Sequence, residues 1–538
     1  MSPSPLPPAA HRLAFAATLC LTMTTTACDI PSPFTIFTAL AYTSDGQALL
    51  LEATDGIYLA SPPDDTPHRL GDSQTPCDRA AGQYALGCAR LAPSGDRLVL
   101  LRGKKEAAAD ASSAAPTWDL WLFGRGAGGG DGTRVAEGVL DATFTPDGAE
   151  LLWIRLEPDG DGRPALFRLA EDGSEARVLD AIDLGERDDA AKALSALIIT
   201  SVGVGHTRAS FSGVSLWFQP FGGRAPRELG GVAAFCVGSS LSSCSNLSQD
   251  GVTFAWQESS GSLLQLYRGD IDVRLPLGPG VSFRFSRTGA LLLRYVSKTA
   301  YVHRADTAAV VRTLQNVNAA QLSADGESLA HLAVVSTGMQ TSQLRVGPAR
   351  QSDADGDYGL LAAPTFSPLW VSVAGSDALP FSFTGDGGFV IAAVDLDPDL
   401  ADEAGGALVA MDVRTSEARV LDELSCYQCC QIAQTGALVL CSPPDPTSLE
   451  PRVFLDVYDP ATGLRTRGAD SLIDYEVNRD GTAVVLTDYA SGTPKLKVIT
   501  KAGQVISMGT AYKFALSPTE NDIAYINEYG KLSFKVLP

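Results

Sequence analysis

Apolar residues along this chain fall in short runs, often alternating with polar ones, and clusters of Gly, Pro, Asp and Ser separate the runs. Runs of this length bounded by turn formers predict β-strands, while helical periodicity is nearly absent. The one segment with a helical pattern is Glu186 to Leu197 (ERDDAAKALSAL). One unit recurs: an apolar strand, a Ser/Pro-x-Asp-Gly turn, a second apolar strand, a third, and a short fourth. Its turns are Thr43-Ser44-Asp45-Gly46, Ala92-Pro93-Ser94-Gly95, Thr145-Pro146-Asp147-Gly148, Ser248-Gln249-Asp250-Gly251 and Ser286-Arg287-Thr288-Gly289. The series continues with Ser323-Ala324-Asp325-Gly326, Thr384-Gly385-Asp386-Gly387, Ala433-Gln434-Thr435-Gly436, Asn478-Arg479-Asp480-Gly481 and the variant Ser517-Pro518-Thr519-Glu520. A degenerate copy is expected near Gly205, because Ser215 to Leu229 reads as a third and fourth strand.

Asp-Gly supplies the positive φ that a tight hairpin demands, and the flanking strands bury their apolar residues. The third copy shows all the parts. Thr143-Phe144 precedes the turn, Leu151 to Ile154 follows it, Leu166 to Leu169 is the third strand and Arg177 to Leu179 the outer one. A four-stranded sheet of this size is not stable alone, so neighbouring copies must pack face to face. The spacing between turns is mostly between 37 residues (Gly289 to Gly326) and 57 (Gly148 to Gly205), the length of one propeller blade.

Phe144-Thr145-Pro146-Asp147-Gly148 and Phe514-Ala515-Leu516-Ser517-Pro518 resemble the repeats of TolB-like propellers, relatives of the WD-type blade. The resemblance implies an all-β fold of four-stranded blades and is nearly silent about function. Eleven copies exceed an ordinary ring. The expectation is two tandem propellers, 29–275 and 276–538, with the boundary between 266 and 314; one large ring is the alternative. The last copy supplies only three strands, and Phe34-Thr35-Ile36-Phe37 is expected to add the missing outer strand and cover an open edge. Insertions at 104–116, 181–196 and 346–377 interrupt the rhythm, and such loops are where propellers carry function.

At the N-terminus, His11 and Arg12 precede an apolar stretch from Leu13 to Met23, too short to span a bilayer. It leads to Thr25-Thr26-Ala27-Cys28, which resembles the lipobox of bacterial lipoproteins. The resemblance implies removal of 1–27, acylation of Cys28, and an exported protein facing the periplasm or cell exterior with a lipid anchor as its sole membrane attachment. Thr25 stands where the family usually has Leu, and the alternatives are cleavage nearby without lipidation and an uncleaved anchor. No other run approaches ~18 uninterrupted apolar residues, so the remainder is expected to be soluble.

A 45% apolar content is enough for a core and excludes wholesale disorder. The net charge of −21 argues against a nucleic-acid partner, since phosphate binding needs a basic surface. Ten cysteines are present; with Cys20 in the signal and Cys28 the lipidation candidate, eight remain, an even number that implies bridges in an oxidising compartment. Cys88, Cys244 and Cys429 each stand seven residues before a turn glycine, with a cysteine upstream, which predicts Cys77–Cys88, Cys236–Cys244 and Cys426–Cys429. Cys430 and Cys441 flank the Thr435-Gly436 turn symmetrically and are expected as a cross-strand bridge. A thiolate metal site at Cys426, Cys429 and Cys430, or a redox role for Cys426 and Cys429, is the competing reading.

Asp353, Asp355 and Asp357 alternate as in calcium loops, although Pro364 stands at the twelfth loop position, where a bidentate acid belongs; acidic surface turns are the plainer account. Calcium is thus the one candidate cofactor. The run from Gly124 to Gly132 lacks the Gly-Lys-Ser/Thr ending of a phosphate cradle and reads as a flexible turn. Neither HExxH nor GxSxG occurs, the histidines are scattered, and the tryptophans fall in strand patterns. A full-length repeat without a catalytic set points to a non-enzymatic envelope scaffold that binds a protein or peptide. The alternatives are an enzyme acting on an extracellular polysaccharide or peptide, and a calcium-stabilised surface protein.

Overall fold

The structure is a computed structural model. It describes residues 37–537 apart from 43–45, 54–55, 63–66, 72–84, 87–88, 106–116, 125–131, 157–163, 171–172, 183–193, 195, 211–212, 233–244, 249–250, 259–262, 280–281, 335–341, 351–358, 364, 368–380, 396–405, 425–429, 434–435, 442–453, 479, 482, 490–492 and 520. The described strands form nine antiparallel sheets. Two of these sheets each hold two repeat units, because one long strand closes a unit and opens the next: Thr133–Phe144 and Val505–Leu516. Gly138, with φ 68°, takes the bend where the first of these strands changes partner from Trp118 to Arg155. A residue with a Cβ would be strained there.

Eleven blades result. Blade 1 covers 37–71; blades 2 and 3 share the sheet from 85 to 179; blades 4 to 9 cover 198–231, 245–279, 282–314, 317–363, 365–424 and 430–469; blades 10 and 11 share 472–536. Within a blade, spatial order follows chain order, as hairpin connections dictate. In blade 8 the inner strand is split into Thr365–Ser367 and Phe381–Phe383, both paired to Phe389–Asp395. The 346–377 departure therefore includes the outer strand of blade 7 and the first part of blade 8.

The repeated turn has one chemistry. Thr145 Oγ1 donates to Asp147 Oδ1 at 2.6 Å and accepts from Glu150 N–H at 3.0 Å, while Gly148 N–H donates to Thr145 O at 2.8 Å. Ser323 with Asp325, and Thr384 with Asp386, repeat the hydroxyl-to-carboxylate bond at 2.5 and 2.7 Å. Of the Asp-Gly pair only the glycine takes positive φ: 73° at Gly148, 75° at Gly326, 70° at Gly387. The aspartate's part is instead to tie the hydroxyl to the N–H beyond the glycine. In blade 4 the turn lies at 200–203, slightly before the expected Gly205; Thr200 Oγ1 accepts from Gly203 N–H at 3.0 Å.

Apolar clusters join the blades in chain order. Blades 1 to 3 share one cluster that includes Leu50, Leu100 and Trp153. Blades 4 and 5 meet through Phe218, Phe254, Trp256 and Tyr267, with the Phe218 and Tyr267 rings 4.8 Å apart. Leu264 and Leu266 of blade 5 share a cluster with Leu292 of blade 6, across the expected 266–314 boundary. The seams continue through blades 6 to 11. Finally, Leu49, Leu51 and Tyr58 of blade 1 join Ala524, Ile526 and Leu532 of blade 11. Fully burying one such side chain is worth roughly 1.5–3 kcal/mol, so these seams hold the sheets together. The fold is thus an all-β propeller architecture.

Two local expectations meet the limits of the described residues. Of Glu186 to Leu197, only 194, 196 and 197 are described, with Leu197 N–H bonded to Leu194 O. Phe37 opens the inner strand of blade 1, paired with Ala53; 34–36, on which the expected outer strand of the last blade depends, lie outside the described residues.

Candidate functional site

In a four-stranded meander the first and third connections lie at the same end. Three consecutive blades use that end to bring arginines together. The third strands of blades 5 and 6, Leu263–Arg268 and Thr299–Arg304, each finish on an arginine followed two residues later by aspartate. Arg268 grips Asp270 through Nε and Nη2 at 3.2 and 2.7 Å; Arg304 grips Asp306 in the same way at 3.0 and 2.5 Å. The residue after each arginine is fixed by an equivalent backbone bond, Gly269 to Val252 and Ala305 to Ala290, both 3.0 Å. In blade 7 the same bond runs from Ala349 to Glu327 at 2.8 Å, which puts Arg350 where the previous blades carry Asp270 and Asp306.

The sign of the charge at that position is therefore reversed. Arg350 stands 3.8 Å from Glu327, beyond hydrogen-bond range, and its side chain is 54% exposed. With Thr288 and Gly289 of the blade 6 turn, the three arginines and Asp306 bound a cleft of about 270 Å³. That is slightly below the volume of a drug-sized site and suits one side chain or small anion. The Asp306 carboxyl is held below the usual carboxylate range, first by its hydrogen bonds from Arg304. Arg304 is held above its ordinary value by the same contact.

Other titratable groups have structural or solitary settings. Arg294, itself buried, donates from Nε to His303 Nε2 at 3.1 Å, and His303 Nδ1 meets Ala308 O at 2.8 Å, which makes Nδ1 the protonated nitrogen. Burial pushes His303 below its ordinary value and His206 down to about 4. At the blade 8–9 seam, buried Asp456 accepts from Arg465 and Arg467 at 2.9 and 3.0 Å, and Tyr458 donates to Asp422 at 2.5 Å. This network satisfies its own charges. Glu476, on the inner strand Leu472–Val477, is pushed up to about 7, first by desolvation and further by Asp474. Its Oε2 accepts from Leu516 N–H of the next blade at 3.3 Å.

Of the residues singled out from sequence, Cys430 and Cys441 are brought together. They are register partners in adjacent strands, bonded, with Cα atoms 4.0 Å apart, and both are buried. Cys28, Cys77, Cys88, Cys236, Cys244, Cys426 and Cys429 lie outside the described residues, as do Asp353, Asp355 and Asp357. Among the described residues no group of three or more His, Cys, Asp or Glu could hold a metal ion, and no helix is long and apolar enough to cross a membrane. The arginine cleft was missed in the sequence. Its signal was the phase of Arg268-Gly269-Asp270 and Arg304-Ala305-Asp306 against the turns, which a motif search does not register.

No protein-family model matches this chain, and no curated protein is significantly similar to it. Solved structures similar to it include the β-propeller domain of Cps50 (Swd1) from Myceliophteria thermophila, at 12% identity over 55% of this chain and 96% of that one, TM-score 0.27. TolB from Acinetobacter baumannii is similar at 13% identity over 57% and 79%, TM-score 0.25. The tricorn protease is similar at 11% over 94% of this chain, which spans 61% of that protein, TM-score 0.23. Likeness at this level carries no function, and the propeller assignment stands on the sheets, registers and seams.

Proposed function

We propose that this protein is a non-enzymatic binding scaffold of the cell envelope that engages a protein or peptide through the propeller end bearing the arginine cleft. The observation that supports the reading most is that cleft, three guanidinium groups gathered by repeat geometry on a chain of net charge −21. Each guanidinium is faced by a carboxylate, Asp270, Asp306 or Glu327, so what the cleft offers on this acidic chain is directed donors, which select complementary partners. Export and acylation at Cys28, suggested by the lipobox-like Thr25-Thr26-Ala27-Cys28, would hold the scaffold at a membrane facing the periplasm or exterior. Both parts are testable. A photo-crosslinking residue at Ala290, exposed at the cleft, should give a discrete protein adduct in envelope extract, whereas one at Tyr489, on the opposite end of its blade, should not. Absence of a protein adduct at Ala290 refutes the binding reading. Metabolic labelling with an alkyne fatty acid should mark the parent chain and not Cys28→Ser; equal labelling of both refutes the anchor.

A further inference from the structure

We infer that the cleft between blades 5, 6 and 7 receives the carboxylate side chain of an acidic peptide segment, bridged between Arg304 and Arg350. This rests on the binding reading above and names its ligand chemistry.

The two arginines differ in how they are held. Arg304 is oriented by its bidentate pair with Asp306, which uses Nε and Nη2; its Nη1 makes no hydrogen bond among the described residues. It is 55% exposed, and an exposed pair of this kind adds little stability, so Asp306 serves to aim the guanidinium rather than to consume it. Among the described residues, Arg350 has only the 3.8 Å contact with Glu327. The cleft thus offers one pre-oriented and one loosely held guanidinium, both able to give charge-assisted hydrogen bonds to an oxyanion, with the Asp270-paired Arg268 at its side. Its volume of about 270 Å³ admits one side chain and excludes a folded surface, which favours an extended acidic segment. The chain, at −21, repels a polyanion, and Asp270, Asp306 and Glu327 balance the three arginines, so binding of an acidic peptide would have to come from the directed donors of Arg304 and Arg350.

The test is fluorescence anisotropy of fluorescein-labelled hexaglutamate against the full mature chain at about 50 mM salt, with inorganic phosphate as competitor. Saturable binding is expected, weakened at least about tenfold by Arg350→Gln and by Arg304→Gln and restored in part by Arg350→Lys, which keeps the charge and loses the fork. Both positions are more than half exposed, so the variants should melt with the parent. No saturable binding, or binding indifferent to both substitutions, overturns the proposal. Phosphate that competes at equal concentration with the same arginine dependence assigns the cleft to a free oxyanion and overturns the peptide assignment. A protein adduct at Ala290 that survives Arg304→Gln and Arg350→Gln would leave the scaffold standing while this ligand fails.

Discussion

If the last blade closes on the first, Ile526 should behave as a core residue of an internal seam. It lies on the strand Asp522–Asn527, is 2% exposed, and shares a cluster with Leu49, Leu51 and Tyr58 from the other end of the chain. Ile526→Ala removes three buried carbons, about 2.4 kcal/mol at roughly 0.8 kcal/mol per methylene. The cavity left behind brings the expected loss to about 2–5 kcal/mol. Leu408→Ala, fully buried between blades 8 and 9, is the internal reference and should lose a similar amount. Urea unfolding at pH 7, followed by tryptophan fluorescence, measures both. A loss below about 0.5 kcal/mol at Ile526 beside a full loss at Leu408 would mean that blade 1 does not cover this face.

Three further outcomes concern His206, Glu476 and the disulfide. His206 is held at about 4 in the fold against about 6.5 when unfolded, so the unfolded chain gains the proton first and stability should drop as pH falls from 6.5 to 4. In His206→Gln that part of the Tm-versus-pH slope should vanish; parallel curves refute it. Glu476 has the opposite sign: its fold-state value of about 7 lies above the ordinary 4.5, so stability is full below pH 4.5 and declines as pH rises through 7. Glu476→Gln should melt higher than the parent at pH 8 and level with it near pH 4; no gain at pH 8 sinks the assignment. Replacing Cys430 and Cys441 together by alanine opens a bridge with a separation of 11 residues and should cost about 2–3 kcal/mol in urea, while an unchanged midpoint would show the bond to be dispensable.

What could be read from sequence was what neighbours along the chain decide. Thr145-Pro146-Asp147-Gly148 fixed its turn because hydroxyl, carboxylate and glycine all act within five residues. The strands Pro164–Leu169 and Glu175–Leu179 followed from alternation, and Cys430 opposite Cys441 from symmetry about a turn. Blade 4 does lie around Gly205, with its turn a few residues earlier because Thr200 closes it without an Asp-Gly pair. The misses are non-local. The seam between Tyr58 and Ile526 joins residues no pattern connects, so its existence could not be read from sequence. Glu476 is desolvated beside Leu516 of the next blade, and the cleft needs Arg268, Arg304 and Arg350 from three blades.

Closure is tested most directly by a covalent link across it. A Cβ built at Gly46 lies 3.3 Å from Thr519 Cβ, close to the roughly 3.5–4.5 Å that a disulfide spans. The control pair, Ser286 and Gly326 in consecutive blades 6 and 7, stands at 3.4 Å. Under mild oxidation, both Gly46→Cys/Thr519→Cys and Ser286→Cys/Gly326→Cys should crosslink, and the first should migrate well ahead of the parent on a non-reducing denaturing gel. A control that links while the 46–519 pair stays open would contradict the ring.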